Sequence, residues 1–172
     1  MSRIDQRASI ATPLGKMTLR IHGGRIIALD FDDRDANENR IDDEPGELGM
    51  VVRRTLDAYF AGERVLFDFP VAPAGTPFQH DVWAALQRIP YGATRSYAQI
   101  AQEVGRPLAV RAVGAANSRN PIAILIPCHR VIGGNGTLTG YAGGLDRKRA
   151  LLALEAPQPF ASSTAGAALQ NV

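Results

Sequence analysis

The chain holds one cysteine, Cys128, and a histidine, His129, follows it directly. A thiol is a poor nucleophile until it loses its proton. A nearby base, itself oriented by a carboxylate, is the usual means of removing it. Glu155, at the end of the last helix-forming segment, is the candidate carboxylate. Adjacency alone does not deliver contact. In an extended segment Cys128 and His129 would point to opposite sides, so a bend in the chain and a bridging water are needed. On residue chemistry alone, a structural cysteine buried beside a hydrogen-bonded histidine is the favoured explanation of the pair.

The same inventory excludes other chemistry. One cysteine cannot form an intramolecular disulfide or a cysteine-rich zinc site, and His22, His80 and His129 lack metal-site spacing, so no metal is expected. The formal net charge is +2, from 19 Lys and Arg against 17 Asp and Glu, which says little about partners. Its distribution says more. Asp32, Asp33, Asp35, Glu38, Asp42, Asp43, Glu44 and Glu47 make 32–47 strongly acidic. Between 88 and 149 the charges are mostly Arg88, Arg95, Arg106, Arg111, Arg119, Arg130, Arg147, Lys148 and Arg149. That asymmetry puts positive potential on the C-terminal half, where a polyanion could dock; a merely solvated surface fits the same residues equally. No apolar run approaches the ~18–20 residues of a membrane span, and MSRIDQRASI lacks the apolar core of a signal peptide. A cytoplasmic location with no membrane partner is the expectation.

The elements that must position these residues follow from pattern. Residues 8–32 read as antiparallel strands, with β-rich runs at 17–21 and 26–31 joined by a His22-Gly23-Gly24 turn. The acidic stretch 32–46 reads as an exposed loop. Val51, Val52, Leu56, Tyr59 and Phe60 recur at helical spacing within 48–61, and 65–71 reads as another strand before a linker marked by Pro70, Pro73 and Pro77. Thr76-Pro77-Phe78-Gln79 is a capping box with proline at the first helical position, predicting a helix over 77–88. Ser96-Tyr97-Ala98-Gln99 is a second capping box, opening a helix that runs to Val104. Gly105 stops it, and Arg106-Pro107 starts the next, to Ser118. Two short helices around a glycine-containing turn outline a helix-turn-helix, an outline shared by many helix pairs that never touch DNA. An apolar run, 122–127, leads into Cys128. Glycine-rich stretches follow at 133–136 and 140–144, and 145–155 reads as an amphipathic last helix. The tail, 157–172, is rich in Pro, Ala and Ser and is expected to be poorly ordered.

NPIAILIPCHRVI, from Asn120 to Ile132, resembles the active-site signature of the O6-alkylguanine-DNA alkyltransferases, whose core is Pro-Cys-His-Arg-Val. Upstream, FQHDVWAALQRIPYGATRSYAQIAQEVGRPLAVRAVGAANSRNP is similar to that family's helix-turn-helix nearly throughout. Downstream, GYAGGLDRKRALLALE resembles its closing substrate-pocket segment. The likeness is dense between Phe78 and Glu155 and looser before them.

The resemblance implies roles for individual residues. Cys128 is the implied alkyl acceptor, His129 the base acting through a water, and Glu155 the group that holds the imidazole. Asn120 matches the asparagine that braces the turn before the active-site segment; a plain helix-end residue before Pro121 is the simpler local explanation. Arg111 matches the arginine inserted into the duplex when the target nucleotide flips out, and Ala109, Ala112, Gly114, Ala115 and Ala116 leave that helix slim enough to enter a groove. Arg106 is placed on the same DNA-binding surface. Tyr97 matches the tyrosine that helps rotate the target phosphate, and is the candidate proton donor to the departing guanine. Pro127, Val131, Tyr141 and Ala142 match the pocket for the flipped base. Family members often carry serine where this chain has Ala142, which keeps the backbone N–H and loses a hydroxyl.

The implied function is direct-reversal DNA repair: one irreversible transfer of an alkyl group from O6-alkylguanine to Cys128, with O4-alkylthymine left open as a second substrate. No organic cofactor is needed. The implied partner is double-stranded DNA carrying O6-alkylguanine, bound through the minor groove with base flipping by a monomer, with cooperativity on DNA open. The implied fold is α+β. Its N-terminal α/β domain, 1–73, has an antiparallel sheet of ribonuclease H-like type, and its mostly helical C-terminal domain, 74–156, holds a winged-helix-like helix-turn-helix. Two other readings compete. A non-catalytic lesion binder of the alkyltransferase-like kind would replace the cysteine, so Cys128 speaks against it. A transcription regulator using the cysteine as a sensor would need a dimer, and no dimerisation heptad is visible.

Overall fold

Three strands, β1 (Gln6–Thr12), β2 (Gly15–His22) and β3 (Arg25–Phe31), form an antiparallel sheet in that order. The computed structural model describes residues 5–32 and 45–157. The core of the acidic stretch and the C-terminal tail therefore lie outside the described residues. Gly23 and Gly24 close the β2–β3 hairpin with φ of +55° and +71°, the left-handed pair that matches strand twist. One face of the sheet presents Ala8, Ile10, Met17, Leu19, Ile26 and Leu29 to the core. Helix α1 (Glu47–Phe60) covers it with Val52, Leu56 and Tyr59, spaced three and four residues apart on one stripe.

The free edge of β3 is divided between two later segments. Ile26 exchanges backbone hydrogen bonds with Pro70 and Ala72, and Leu29 with Pro121 and Ala123. The strand expected over 65–71 is therefore not formed: a single bridge, Ile26 to Val71, is all that pairs. Val65, Phe67, Phe69 and Val71 do alternate inward against the core. Yet Pro70 has no N–H to extend a ladder, and the chain passing Leu29 takes the rest of the edge. The segment keeps a strand's alternation but pairs only at its end, at Val71.

The C-terminal part is helical. Helix α2 (Pro77–Gln87) starts at the expected capping box, with Thr76 and Gln79 bonded reciprocally. Two residues, β4 (Arg95–Ser96), lead into α3 (Tyr97–Glu103), whose Ser96–Gln99 capping box also forms. Helix α4 (Val110–Ser118) begins later than Arg106-Pro107 suggested. Ala109 N–H bonds back to the Arg106 carbonyl, so 106–109 make a turn that lengthens the connection, with Leu108 fully exposed at its tip. Trp83 Nε1 donates to the Ala116 carbonyl at 2.9 Å and locks α2 onto α4. A single 3-10 turn, Cys128–Arg130, precedes β5 (Val131–Ile132), which pairs in parallel with β4. The last helix is α5 (Leu145–Glu155). Its buried stripe is Lys148, Leu151 and Glu155, so two of the three inward residues are charged and the amphipathic expectation is corrected. The class is α+β. No helix of the described residues is long and apolar enough to cross a membrane.

Candidate active site

The segment carrying Cys128 is shaped by Asn120. Its Oδ1 accepts the Ile122 N–H at 3.0 Å, while Nδ2 donates to the carbonyls of Ile126 (2.7 Å) and Ile122 (3.3 Å). Inside this bracket Ile124 is fully buried with φ +70°, a left-handed conformation that a β-branched residue adopts only under constraint, at a cost of about 1–3 kcal/mol. The chain then tightens into the 3-10 turn, and the bend that adjacency required is supplied there.

Cys128 is 5% exposed, and its carbonyl accepts from Asn117 Nδ2 at 3.3 Å. Burial pushes the Cys128 thiol up, opposed in part by a hydrogen bond from the Asn120 side chain and by the Lys148 charge. His129 is fully buried, and its Nε2 lies 2.8 Å from Glu155 Oε1. An ionised carboxylate can only accept, so Nε2 carries the proton and Nδ1 is the bare acceptor. Nδ1 has no hydrogen-bond partner among the described residues. Burial, which outweighs the pull of Glu155, lowers the His129 pKa, so the ring is neutral and able to take a proton.

Glu155 is the hub. Burial would raise its pKa, but hydrogen bonds from His129 and Arg130 outweigh that and hold it at about 2. Arg130 grips both oxygens, Nε to Oε2 at 2.8 Å and Nη2 to Oε1 at 2.9 Å, and its Nη1 donates to the Ile89 carbonyl at 2.7 Å. Tyr59, from α1, donates its hydroxyl to Oε1 at 2.7 Å. The close packing continues at Gly92, where a Cβ would stand 2.9 Å from the Glu155 carbonyl. Tyr59, Asn117, Arg130 and Lys148 are members of this site that residue-by-residue reading did not single out. Arg130 and Lys148 were counted with the basic residues of a docking surface; both are instead buried. Lys148 Nζ donates to the Thr139 carbonyl at 2.9 Å and sits 5.9 Å from the Tyr97 ring. Arg147 packs 4.3 Å over the Phe31 ring. The one sequence signal was that Arg130, Arg147 and Lys148 fall inside the family-like segments 120–132 and 140–155.

The residues assigned to the pocket and the DNA surface separate into two groups. Pro127 and Val131 are buried beside Cys128, and Tyr141 is mostly covered, its hydroxyl buried without a partner among the described residues. Burial, and then the charge of a Cys128 thiolate, hold the Tyr141 hydroxyl well above its ordinary pKa. Ala142 is exposed. On the neighbouring surface a groove of about 320 Å³ is lined by Tyr97, Val110, Arg111, Gly114, Ser118, Thr139 and Gly140. Tyr97 donates its hydroxyl to the Thr139 carbonyl at 2.8 Å, and its ring faces Gly114, which has no side chain to block it. Arg111 and Ala112 are exposed in the first turn of α4; Ala112 and Arg106 lie outside this groove. No cluster of metal-ligating side chains occurs among the described residues.

Residues 77–157 match the DNA binding domain of 6-O-methylguanine DNA methyltransferase, and residues 7–73 match its ribonuclease-like domain. A methylated-DNA–protein-cysteine methyltransferase of Mycobacterium leprae is 50% identical over 158 residues, 91% of this chain and 95% of that one. One of Methanosarcina acetivorans is 65% identical over 112 residues, 65% of this chain and 72% of that one. The crystal structure of Mycobacterium tuberculosis OGT in complex with DNA superposes with a TM-score of 0.77 at 49% identity, covering 87% of this chain and 92% of that chain.

Proposed function

The chain belongs to the 6-O-methylguanine DNA methyltransferase family, and from that premise we propose how its own residues perform direct-reversal repair. It binds DNA and transfers an alkyl group from the damaged base to a cysteine. Cys128 is the acceptor. His129 Nδ1 takes the thiol proton through a bridging water while Glu155 fixes the tautomer. The observation that carries this reading is the 2.8 Å contact between His129 Nε2 and Glu155, which leaves a neutral imidazole with its basic nitrogen free beside a buried cysteine.

The thiolate attacks the alkyl carbon. A sulfur–carbon bond forms as the carbon–O6 bond breaks, the electron pair stays on O6, and the guanine takes up a proton in place of the one Cys128 lost. Tyr97 is the proposed donor, and its phenolate regains a proton through solvent as the His129 imidazolium gives up the one taken from Cys128, so both groups end as they began. The thioether has no good leaving group, so each molecule reacts once and no organic cofactor takes part. Arg111, exposed at the start of α4 beside the groove, is the side chain that enters the duplex from the minor groove and fills the space left by the flipped nucleotide. Minor-groove readout is degenerate, which suits a protein that must act at any sequence. Pro127, Val131 and Tyr141 wall the pocket beside Cys128, with the Ala142 backbone N–H at its mouth.

Intact mass after mixing with duplex DNA containing O6-methylguanine tests this. A single gain of about 14 Da, one methyl in place of one hydrogen, is expected on Cys128 and absent in Cys128→Ser. Unchanged mass with tight binding by both proteins would replace the transferase by a lesion binder.

A further inference from the structure

The fourth donor to Glu155 comes from the other end of the chain. Tyr59 belongs to α1, which packs on the N-terminal sheet, yet its hydroxyl reaches Glu155 Oε1 at 2.7 Å across a sequence separation of 96 positions. The same oxygen accepts from His129 Nε2 at 2.8 Å and from Arg130 Nη2 at 2.9 Å. A carboxylate oxygen has about two good lone-pair directions, so three donors on one atom share its charge rather than adding to one another. Tyr59 cannot turn aside. It is fully buried, with Phe60 and Phe67 rings each 5.3 Å away and the Tyr91 ring at 6.2 Å.

We propose that Tyr59 is a positioning residue of the transfer reaction: its hydroxyl holds Glu155 and competes with His129 for the same oxygen, so the N-terminal sheet-and-helix unit sets the strength of the base beside Cys128. The inference rests on the assignment of His129 as that base. A hydrogen bond to a carboxylate draws off part of its charge, and a carboxylate so tempered stabilises a neighbouring imidazolium less. Arg130 neutralises Glu155 from the 3-10 turn, and Tyr91 bonds the Leu154 carbonyl while Arg64 lies over its ring. Lys148 approaches Cys128 and His129 from α5. None of these competes for Oε1 from the N-terminal side. Burial, and after it the charge of Glu155, keeps the Tyr59 hydroxyl protonated, so it acts only as a donor.

Tyr59→Phe removes the hydroxyl and keeps the ring. The expected result is a folded protein in which His129 protonates more readily. Its NMR titration moves up by about one pH unit, and the acid limb of the transfer-rate profile moves up with it. In a Glu155→Gln background the same change produces no further shift of His129, because the charge through which Tyr59 acts is gone. A purely structural role would lower the rate equally at every pH and leave the His129 titration in place; either that result or superposable profiles overturns the proposal. If Tyr59→Phe does not fold, 3-fluorotyrosine at position 59, a stronger donor of the same shape, should shift His129 the other way, and no shift overturns the proposal. A His129→Ala protein that retains the full acid limb would instead sink the assignment of the base, a separate failure.

Discussion

Arg130 and Glu155 meet as two parallel forks, Nε on Oε2 at 2.8 Å and Nη2 on Oε1 at 2.9 Å, with both side chains out of water. The residue two places after Cys128 thus anchors the end of α5 behind the active-site turn. The pair is a structural clamp as much as an electrostatic one, because Nη1 of the same guanidinium also ties the Ile89 carbonyl.

Removing one half of such a pair leaves an uncompensated buried charge. Arg130→Met should lower unfolding free energy by about 3–5 kcal/mol in urea titrations. Arg130→Lys should recover little, since an ammonium cannot present the fork. A loss below about 1 kcal/mol for Arg130→Met would show that water or a rearranged neighbour satisfies Glu155 instead.

Stability should fall with acid in two stages. His129 and Glu155 both have folded-state pKa values below their ordinary 6.5 and 4.5, so the folded state binds fewer protons than the unfolded chain. Their contributions are complete above about pH 6.5. The His129 share declines first as pH drops below that value. The Glu155 share, on the order of 3 kcal/mol, goes between pH 4.5 and about 2. Urea midpoints measured across pH should show both stages. Glu155→Gln should be less stable at neutral pH and flat in the lower window; an unchanged acid stage in that variant contradicts the assignment.

Asn120→Asp keeps size and shape but loses both amide donors, including the 2.7 Å bond to the Ile126 carbonyl. Without them the left-handed Ile124 is held only by the Ile122 N–H bond to residue 120, the backbone bonds from Leu125 to Ala123 and from Ile126 to Ile122, and its own burial. The expected cost is about 2–4 kcal/mol in denaturation, accompanied by slower transfer from O6-methylguanine DNA as Cys128 loses its position. Wild-type stability in this variant would mean that packing alone shapes the turn.

Arg111 is exposed, so Arg111→Ala should leave the melting temperature unchanged. On undamaged duplex DNA the slope of log affinity against log salt should shrink by about one. On damaged DNA the transfer rate should fall further than the affinity, since the side chain also offsets the cost of unstacking. Equal losses in rate and affinity would reduce Arg111 to a phosphate contact.

Local signals were legible without coordinates wherever the chain determines them within a few residues. Thr76–Gln79 and Ser96–Gln99 both form the reciprocal caps their spacing announced, because a capping box needs only four consecutive residues. Gly23-Gly24 closed a hairpin for the same reason. Family likeness then singled out Cys128, His129 and Glu155, which a lone Cys-His pair could not have done against the commoner buried structural cysteine.

What the tertiary structure decided was partnership. The sequence pattern reads 65–71 as a strand, but only the fold reveals that β3 has one open edge and gives half of it to 121–123. Charge counting put Arg130 and Lys148 on a surface, whereas both are buried, because a charge enters a core only when partners from distant segments converge on it. Tyr59 belongs to a helix whose spacing explains its burial completely, and nothing in α1 announces a carboxylate on another helix. A sequence states which groups are available; which oxygen each donor reaches depends on the folding of segments that never meet along the chain.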